Sequence, residues 1–292
     1  MDVQDSVIIP TFEDWGVLQL CLDCLARQTA DPTLFEVIVA NNNPDPAVPP
    51  TLRLPANAQV IHAPKPGSYA ARNAAIKVAR GEVLFFTDSD CLPDPSWIAA
   101  GLDAMSGSGT DRLVAGQIEL FPVGTEWTPV ELHGRIFSLK QDDYVSQGWC
   151  ATANLMARRR AFEDYGPFNE NRFSGGDKEW TLHATSQGAN LVYVAEVVIR
   201  HPARSSYSVL ATRTWRVIGG NLLDMQTGRI PRAPLRYYLS PLSSWETRQV
   251  MSHPGMTDLQ RAQVLWLCVR LNVVALSEVV RLRYLSGRPQ RS

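Results

Sequence analysis

The sequence predicts an α/β protein: a mostly parallel sheet flanked by helices, followed by a helical C-terminal extension. Three observations carry this. Short β-branched runs alternate with helix-period segments through the first third of the chain, the pattern of βαβ units. The acidic triplet Asp88, Ser89 and Asp90 directly follows the apolar run Val83–Thr87, and the carboxyl ends of strands are where open α/β sheets bind ligands. Beyond His201 the chain becomes Arg-rich, Pro-interrupted and helical in pattern.

Ser6–Ile9 reads as a buried strand stopped at Pro10. The segment 15–28 places Leu18, Cys21, Leu22 and Leu25 at helical spacing, so the strand feeds a helix. Glu36–Ala40 is a second strand, ended by the turn-rich 41–46, and Gln59–His62 is a shorter third. Ser68–Arg80 is helical with Gly81 as its stop, and Val83–Thr87 is a fourth strand, apolar enough to be central. Ser96–Met105 reads as a helix, 106–110 as a flexible turn, Leu113–Leu120 as a strand and 121–148 as mixed. Helices follow over 158–165 and 177–187, then a strand over 191–199. No internal repeat or low-complexity tract interrupts this order, and the soft boundary falls near 205, dividing the chain into 1–204 and 205–292.

Composition narrows the class of function. With 292 residues, 45% of them hydrophobic, the chain sustains one large domain or two small ones, and disorder is excluded as the dominant state. The 28 Lys and Arg against 29 Asp and Glu leave a net charge of -1, without the basic surplus of a nucleic-acid binder. Cys21, Cys24, Cys91, Cys150 and Cys268 show no paired spacing, which favours a reducing compartment. Met1–Asp5 has neither the basic flank nor the apolar stretch of a secretory leader, so the expected location is the cytoplasm. The apolar stretch 262–280 is broken by Arg270, Asn272, Ser277 and Glu278, short of the ~20 apolar residues of a span, and no transmembrane helix is expected.

Asp88 and Asp90, one residue apart after a buried strand, need a cation or strong donors to offset their repulsion. Hard oxygen ligands suit Mg²⁺ or Mn²⁺, and such ions take substrate phosphates as further ligands. A solvated acidic turn is the alternative reading of the triplet alone. Its context favours the metal. Ser6–Phe12, Cys21–Thr29, Glu36–Val39, Ala70–Ala75, Gly81–Asp90 and Pro95–Trp97 resemble, in order and spacing, the family 2 glycosyltransferases. Ala153 and Asn154, Arg158–Arg160, Gly166–Glu170 and Gly176–Glu179 are similar to that family's acceptor half, so the resemblance covers about residues 5 to 204.

The resemblance implies a GT-A fold, Rossmann-like, with 1–95 as the nucleotide-binding half and 96–204 as the acceptor half. It implies an inverting, metal-dependent transfer of one sugar from a nucleotide diphosphate to a glycan or lipid-linked acceptor in polysaccharide or surface-glycan biosynthesis. Pro10, Thr11 and Glu13 match the loop that touches the nucleotide, Asn41 the position that reads base or ribose, and Arg72 the arginine that approaches the nucleotide. Asp88 matches the carboxylate near ribose and metal, Asp90 the direct metal ligand, and His201 a further metal or diphosphate contact. Asp177 matches the general base, with Glu179 beside it. A base on the far face of the sugar takes the acceptor's proton through an oxocarbenium-like transition state, with no covalent intermediate. Trp149, Thr152 and Asn154 are candidates for an acceptor pocket, with core packing the alternative for Trp149.

Two positions depart from the family pattern. Gly176 stands where a Glu usually precedes the base, and Asn41 replaces an Asp, which leaves a UDP-sugar favoured and GDP- or dTDP-sugars open. These departures motivate the alternative of a catalytically weak nucleotide- or carbohydrate-binding protein that keeps the fold. A sugar-nucleotide pyrophosphorylase would carry a Gly-rich basic loop after the first strand, where 10–14 has none. No Gln-x-x-Arg-Trp segment of processive synthases occurs, Arg213–Trp215 not matching, so one sugar is added at a time. Gly107–Arg112 lacks the final glycine of a dinucleotide loop, and no Gly-x-x-x-x-Gly-Lys segment is present.

Several features read more plainly. Cys21 and Cys24 lie within an apolar helix and are expected as core or surface thiols. Glu179 and His183 share a helix face, where a polar contact is favoured over a second metal site. His62, His133 and His253 are expected to be structural or exposed. The segment 259–283 is apolar around most of its circumference, with a polar stripe at Gln263, Arg270 and Ser277. Arg261, Arg270, Arg281, Arg283, Arg288 and Arg291 outnumber Asp258 and Glu278 there, which suits an anionic membrane surface and equally a cover for the catalytic domain or a homodimer interface. The resemblance, whose family commonly uses lipid-linked acceptors, implies peripheral contact with the inner face of the cell membrane.

Overall fold

A computed structural model of the chain describes residues 3–106, 111–172, 174–226, 240 and 242–284. The turn expected at 106–110 lies outside them from 107 onward, as do Arg288 and Arg291. The chain forms two compact units that no single point in the sequence separates. The first comprises Met1–Glu119, Lys140–Arg172 and Gly176–His201; the second comprises Leu120–Leu139, Phe173–Gly175 and Pro202–Ser292.

The first unit is organised by a mixed sheet. Its strands are β1 (Asp5–Thr11), β2 (Phe35–Asn41), β3 (Ala58–His62), β4 (Val83–Thr87), β5 (Leu92–Pro93), β6 (Arg112–Phe121), β7 (Asn154–Arg158) and β8 (Asn190–Pro202), in the order β3-β2-β1-β4-β7-β6-β8-β5. β3, β2, β1 and β4 run parallel, with Ile8 of β1 opposite Ile38 and Phe86. β7 is antiparallel to both β4 and β6, and β5 is antiparallel to β8. Side chains alternate between the two faces of a strand. Ile8, Ile38, Leu84 and Phe86 pack with Ala71 and Ala75 of α2 (Ser68–Val78) and with Phe162, Phe168 and Trp180. Val7, Ile9, Val37 and Phe85 face the other way, onto Leu18 and Leu22 of α1 (Trp15–Leu25) and Trp97 of α3 (Trp97–Met105). Both faces being covered explains why these strands read as continuous apolar runs rather than alternating ones.

The expected strands and helices of the first third are present, with ends that differ by a few residues. Sequence alone does not reveal β7. Leu155, Met156 and Ala157 are helix formers without a branched Cβ, and pairing on both edges overrides that preference. The helix expected over 158–165 is accordingly shortened to α6 (Arg160–Asp164). The mixed stretch 121–148 contains α4 (Pro129–Phe137) and α5 (Gln141–Ser146), and α7 is Gly176–Ser186.

The second unit is helical. Thr128 and Glu131 form a reciprocal capping box that starts α4. α8 (Tyr207–Gln226), α9 (Ser244–Ser252) and α10 (Asp258–Tyr284) complete its described helices. α10 is the common partner: Val264 and Cys268 pack with Leu132 and Ile136 of α4 and Val250 of α9, while Ala275 and Val279 meet Ile218 and Leu222 of α8. Gln263, Arg270 and Ser277 are exposed, and so are Leu259, Trp266 and Val273, at 69%, 64% and 59%. The expectation that this segment falls short of a span is corrected. The polar positions dilute the apolar run without ending the helix, and Asp258–Arg283 is long and apolar enough to cross a membrane by length and composition, its most apolar 18 residues having mean hydropathy 1.6 with 39% of them buried.

A polar network ties the start of β1 to its neighbours. Ser6 Oγ donates to Glu36 Oε1 at 2.8 Å and accepts from Gly81 N at 2.9 Å, and Arg80 Nε donates to Glu36 Oε2 at 3.0 Å. A Cβ at Gly81 would stand 2.3 Å from the Asp5 carbonyl carbon, so only glycine fits. Burial, reinforced by the charge of Glu82, pushes the Asp5 carboxyl up to about 6 from 3.8. The folded state therefore holds this proton more tightly than the unfolded chain does. The resulting stability is fully present below the unfolded value and is lost as pH rises through about 6. Asp5→Asn should raise stability at pH 8 by on the order of 2 kcal/mol, with the gain vanishing below about pH 4, in urea titrations across that range.

Candidate active site

The carboxyl ends of β1, β2 and β4 gather most of the sequence-predicted residues. Pro10 and Thr11 close β1 and are buried. Thr11 Oγ1 and the Phe12 backbone N–H both donate to Asp14 Oδ1, and Ser89 Oγ donates to Asp14 Oδ2. Asp14, which sequence reasoning did not single out, thus joins the first strand-to-helix loop to the acidic triplet. Glu13 between them is exposed and left-handed, with φ 56°, and its N–H donates to Asn43 Oδ1 at 2.9 Å. A non-glycine residue in that region is costly unless its surroundings hold it.

Asp88 turns toward α2, where the buried Arg72 donates to its Oδ1. Arg72 Nε is buried with no protein partner among the described residues. Asp90 turns the other way. The pairing of Leu92 with Arg200 and of Pro93 with Ile199 brings the residues just before β5 against the end of β8, and His201 Nε2 lies 3.4 Å from Asp90 Oδ1. Asp90, Cys91 and His201 offer ligand atoms all within 4.8 Å of one another. Asp88, expected with them, is absent from that group. Burial first, then the charges of Asp88 and Asp90, push the Cys91 thiol well above its ordinary range, so it remains protonated. The five cysteines are free, and burial likewise raises Cys21.

Asn41 is fully buried, and its hydrogen-bonding groups are used inside its own loop. Its Oδ1 accepts from the backbone N–H of Asn43 at 3.0 Å and from Asn43 Nδ2 at 2.8 Å. Its Nδ2 donates to the carbonyls of Asp45 and Pro46, both at 3.3 Å. Asn42 Nδ2 donates to the carbonyls of Ala63 and Lys65, and its Oδ1 accepts from Gly67 N at 2.8 Å. In this arrangement the side chain of Asn41, the position expected to read base or ribose, shapes its own loop.

α7 carries the second pair of carboxylates. Asp177 Oδ1 accepts from Tyr69 Oη at 3.1 Å and from the Lys178 N–H at 2.9 Å. Glu179, expected beside it in the chemistry, is held by Arg172 Nε at 2.5 Å and by Asn169 Nδ2 at 3.2 Å, while His183 is exposed. Asn73 of α2 clamps the chain leading there, bonding both the N–H and the carbonyl of Phe168. Trp149 is half-buried and stacked on Tyr144 at 3.8 Å between centroids, with Lys178 Nζ 5.2 Å from its own ring centroid. Thr152 is buried. Asn154 is fully buried, accepts from Trp97 Nε1 at 2.9 Å and donates to the carbonyls of Gln117 and Val197. It ties the sheet together.

The model of the family described as glycosyl transferase family 2 matches residues 6–166. Glycosyltransferase AglE of Haloferax volcanii is 34% identical over 232 residues, covering 77% of this chain and 75% of the relative. The putative glycosyltransferase EpsH of Bacillus subtilis is 29% identical over 113 residues, 37% of this chain and 32% of the relative. The chain belongs to glycosyltransferase family 2, and it is a glycosyltransferase. Among solved structures, the mannosyltransferase PcManGT of Pyrobaculum calidifontis in complex with GDP-Man and Mn²⁺ superposes with a TM-score of 0.60 at 15% identity, over 98% of this chain and 89% of that one. TarS 1-349 of S. aureus in complex with UDP-GlcNAc gives 0.52 at 17% identity, over 98% and 93%. The fold is thus the GT-A fold that the sequence pattern implied.

Asn41→Asp, which restores the residue usual in the family, places a carboxylate where two carbonyls need a donor. It should cost more than about 2 kcal/mol in chemical denaturation and leave affinity for UDP no tighter than in the parent.

Proposed function

We propose that the chain is an inverting, metal-dependent glycosyltransferase. It moves a single sugar from a nucleotide diphosphate sugar to a glycan or lipid-linked acceptor, in polysaccharide or surface-glycan biosynthesis, at the cytoplasmic side. The carrying observation is the approach of Asp90 to His201, 3.4 Å apart at the end of the sheet, beside the Arg72–Asp88 ion pair. An oxygen and an imidazole nitrogen with no charged thiolate form a donor set that fits Mn²⁺ or Mg²⁺.

Asp90 and His201 hold the ion in this reading, and Asp88 stands next to it under the control of Arg72. When bound, such an ion supplies positive charge for the departing diphosphate. Pro10, Thr11 and Glu13 border the nucleotide, and Arg72 adds a buried cation near its phosphates. Asp177, in the first turn of α7, is the base that receives the acceptor hydroxyl's proton. Glu179 steadies the segment before α7 through Arg172 rather than handling a proton. Trp149 and Thr152 lie on the acceptor side. A UDP-sugar is the favoured donor, with GDP- and dTDP-sugars the competitors, and the nucleotide sugars bound by TarS and PcManGT support that class. The exposed stripe Leu259, Trp266 and Val273, beside the arginines of α10, supports peripheral contact with the inner membrane face.

Thermal shifts with UDP, GDP and dTDP, each with and without Mn²⁺, should show stabilisation by one nucleotide that depends on the metal. Asp90→Ala should abolish that dependence, and an Asp90→Ala enzyme that turns over and binds as the parent does would remove the metal reading. Asp177→Asn should keep donor affinity within about twofold while lowering kcat by about 10²- to 10⁴-fold. The alternative of a binding protein without turnover predicts neither transfer nor donor hydrolysis in the parent.

A further inference from the structure

Gly176, at the start of α7, has an ordinary negative φ, so conformational freedom does not explain why it is glycine. Space does. A Cβ there would stand 2.6 to 2.8 Å from three ring carbons of Tyr69, closer than real side chains approach. Tyr69 is itself fixed. It is 6% exposed, its ring meets Phe168 at 5.9 Å, and the Arg72 guanidinium lies 5.8 Å from its centroid. Thus the aromatic ring of α2 occupies the place that a side chain at 176 would need, and the hydroxyl of the same ring bonds Asp177 Oδ1 at 3.1 Å.

We propose that Tyr69 is a positioning residue for the transfer: entering from α2, its hydroxyl orients the Asp177 carboxylate and takes over the post of the acidic side chain that Gly176 lacks. The inference rests on Asp177 being the base. With Oδ1 held by Tyr69 and by the Lys178 N–H, Oδ2 is left, among the described residues, for the acceptor hydroxyl. The phenol keeps its proton and so stays a donor, because burial and then the Asp177 charge raise its pKa. Tyr69 also touches Arg72, the partner of Asp88, so one ring spans from the base to the donor-side ion pair.

Tyr69→Phe keeps the ring and removes the hydroxyl. It should lower kcat by about ten- to a hundredfold, the worth of a hydrogen bond to a charged group, while donor KM and calorimetric nucleotide affinity stay within about twofold of the parent. Gly176→Ala, which pushes the ring without altering the hydroxyl, should also lower kcat at constant donor affinity. The two losses should combine to less than their product, since both act on one contact. A kcat within twofold of the parent in either variant, or fully multiplicative losses, would overturn the proposal. Asp177→Asn separates the two ideas: if it retains transfer, the base assignment fails; if it is inactive while Tyr69→Phe behaves as the parent, only the role of Tyr69 fails.

Discussion

Three carboxylates, Asp14, Asp88 and Asp90, crowd the ends of β1 and β4, and much of the site is arranged to hold their charge. Each has its own restraint. Asp14 takes the hydroxyls of Thr11 and Ser89, Asp88 takes the guanidinium of Arg72, and Asp90 lies against His201. Ser89 is the hinge of this arrangement: bound to Asp14, it fixes the residue between two acids that point in different directions. The fully buried thiols of Cys21 and Cys91 feel all or part of this negative field, and burial with that field keeps them neutral. Such a cluster is stable only where strong donors or a cation offset the repulsion.

The loops at the carboxyl ends of β1 and β2 are set by side chains that bond to backbone. Asn41 closes its own turn, Asn42 secures the chain between β3 and α2, and Asn43 holds the left-handed Glu13 in the loop after β1. Three consecutive amides therefore reach three different loops. Asn73 and Asn154 act in the same way elsewhere, one clamping Phe168 and the other joining β7 to its surroundings.

The parallel half of the sheet was legible because strands covered on both faces leave long apolar runs, and helical spacing marks the segments between them. The acidic triplet was legible for the same reason: it follows the most apolar run. β7 was not legible, since Leu155, Met156 and Ala157 say helix until β4 and β6 pair with them. The closeness of His201 to Asp90 depends on a two-residue strand, β5, whose sequence carries no strand signal. Asn41 is matched to base or ribose by the resemblance alone, and Asn154 is a candidate for the acceptor pocket by its place ahead of the next helix. Their full burial and saturated hydrogen bonding appear only in three dimensions, as do Asp14 and Tyr69, which occupy no recognisable pattern.

The steric exclusion between Gly176 and the ring of Tyr69 has a consequence for how such sequences diversify. Positions 69 and 176, 107 residues apart, cannot drift independently: an added side chain at 176 collides with the aromatic ring, and a smaller residue at 69 leaves a void beside the helix start. An acidic side chain at 176 is expected to go with a different residue at 69. The pair should therefore be inherited as a unit, a two-site signature that divides relatives of the same fold into separate branches.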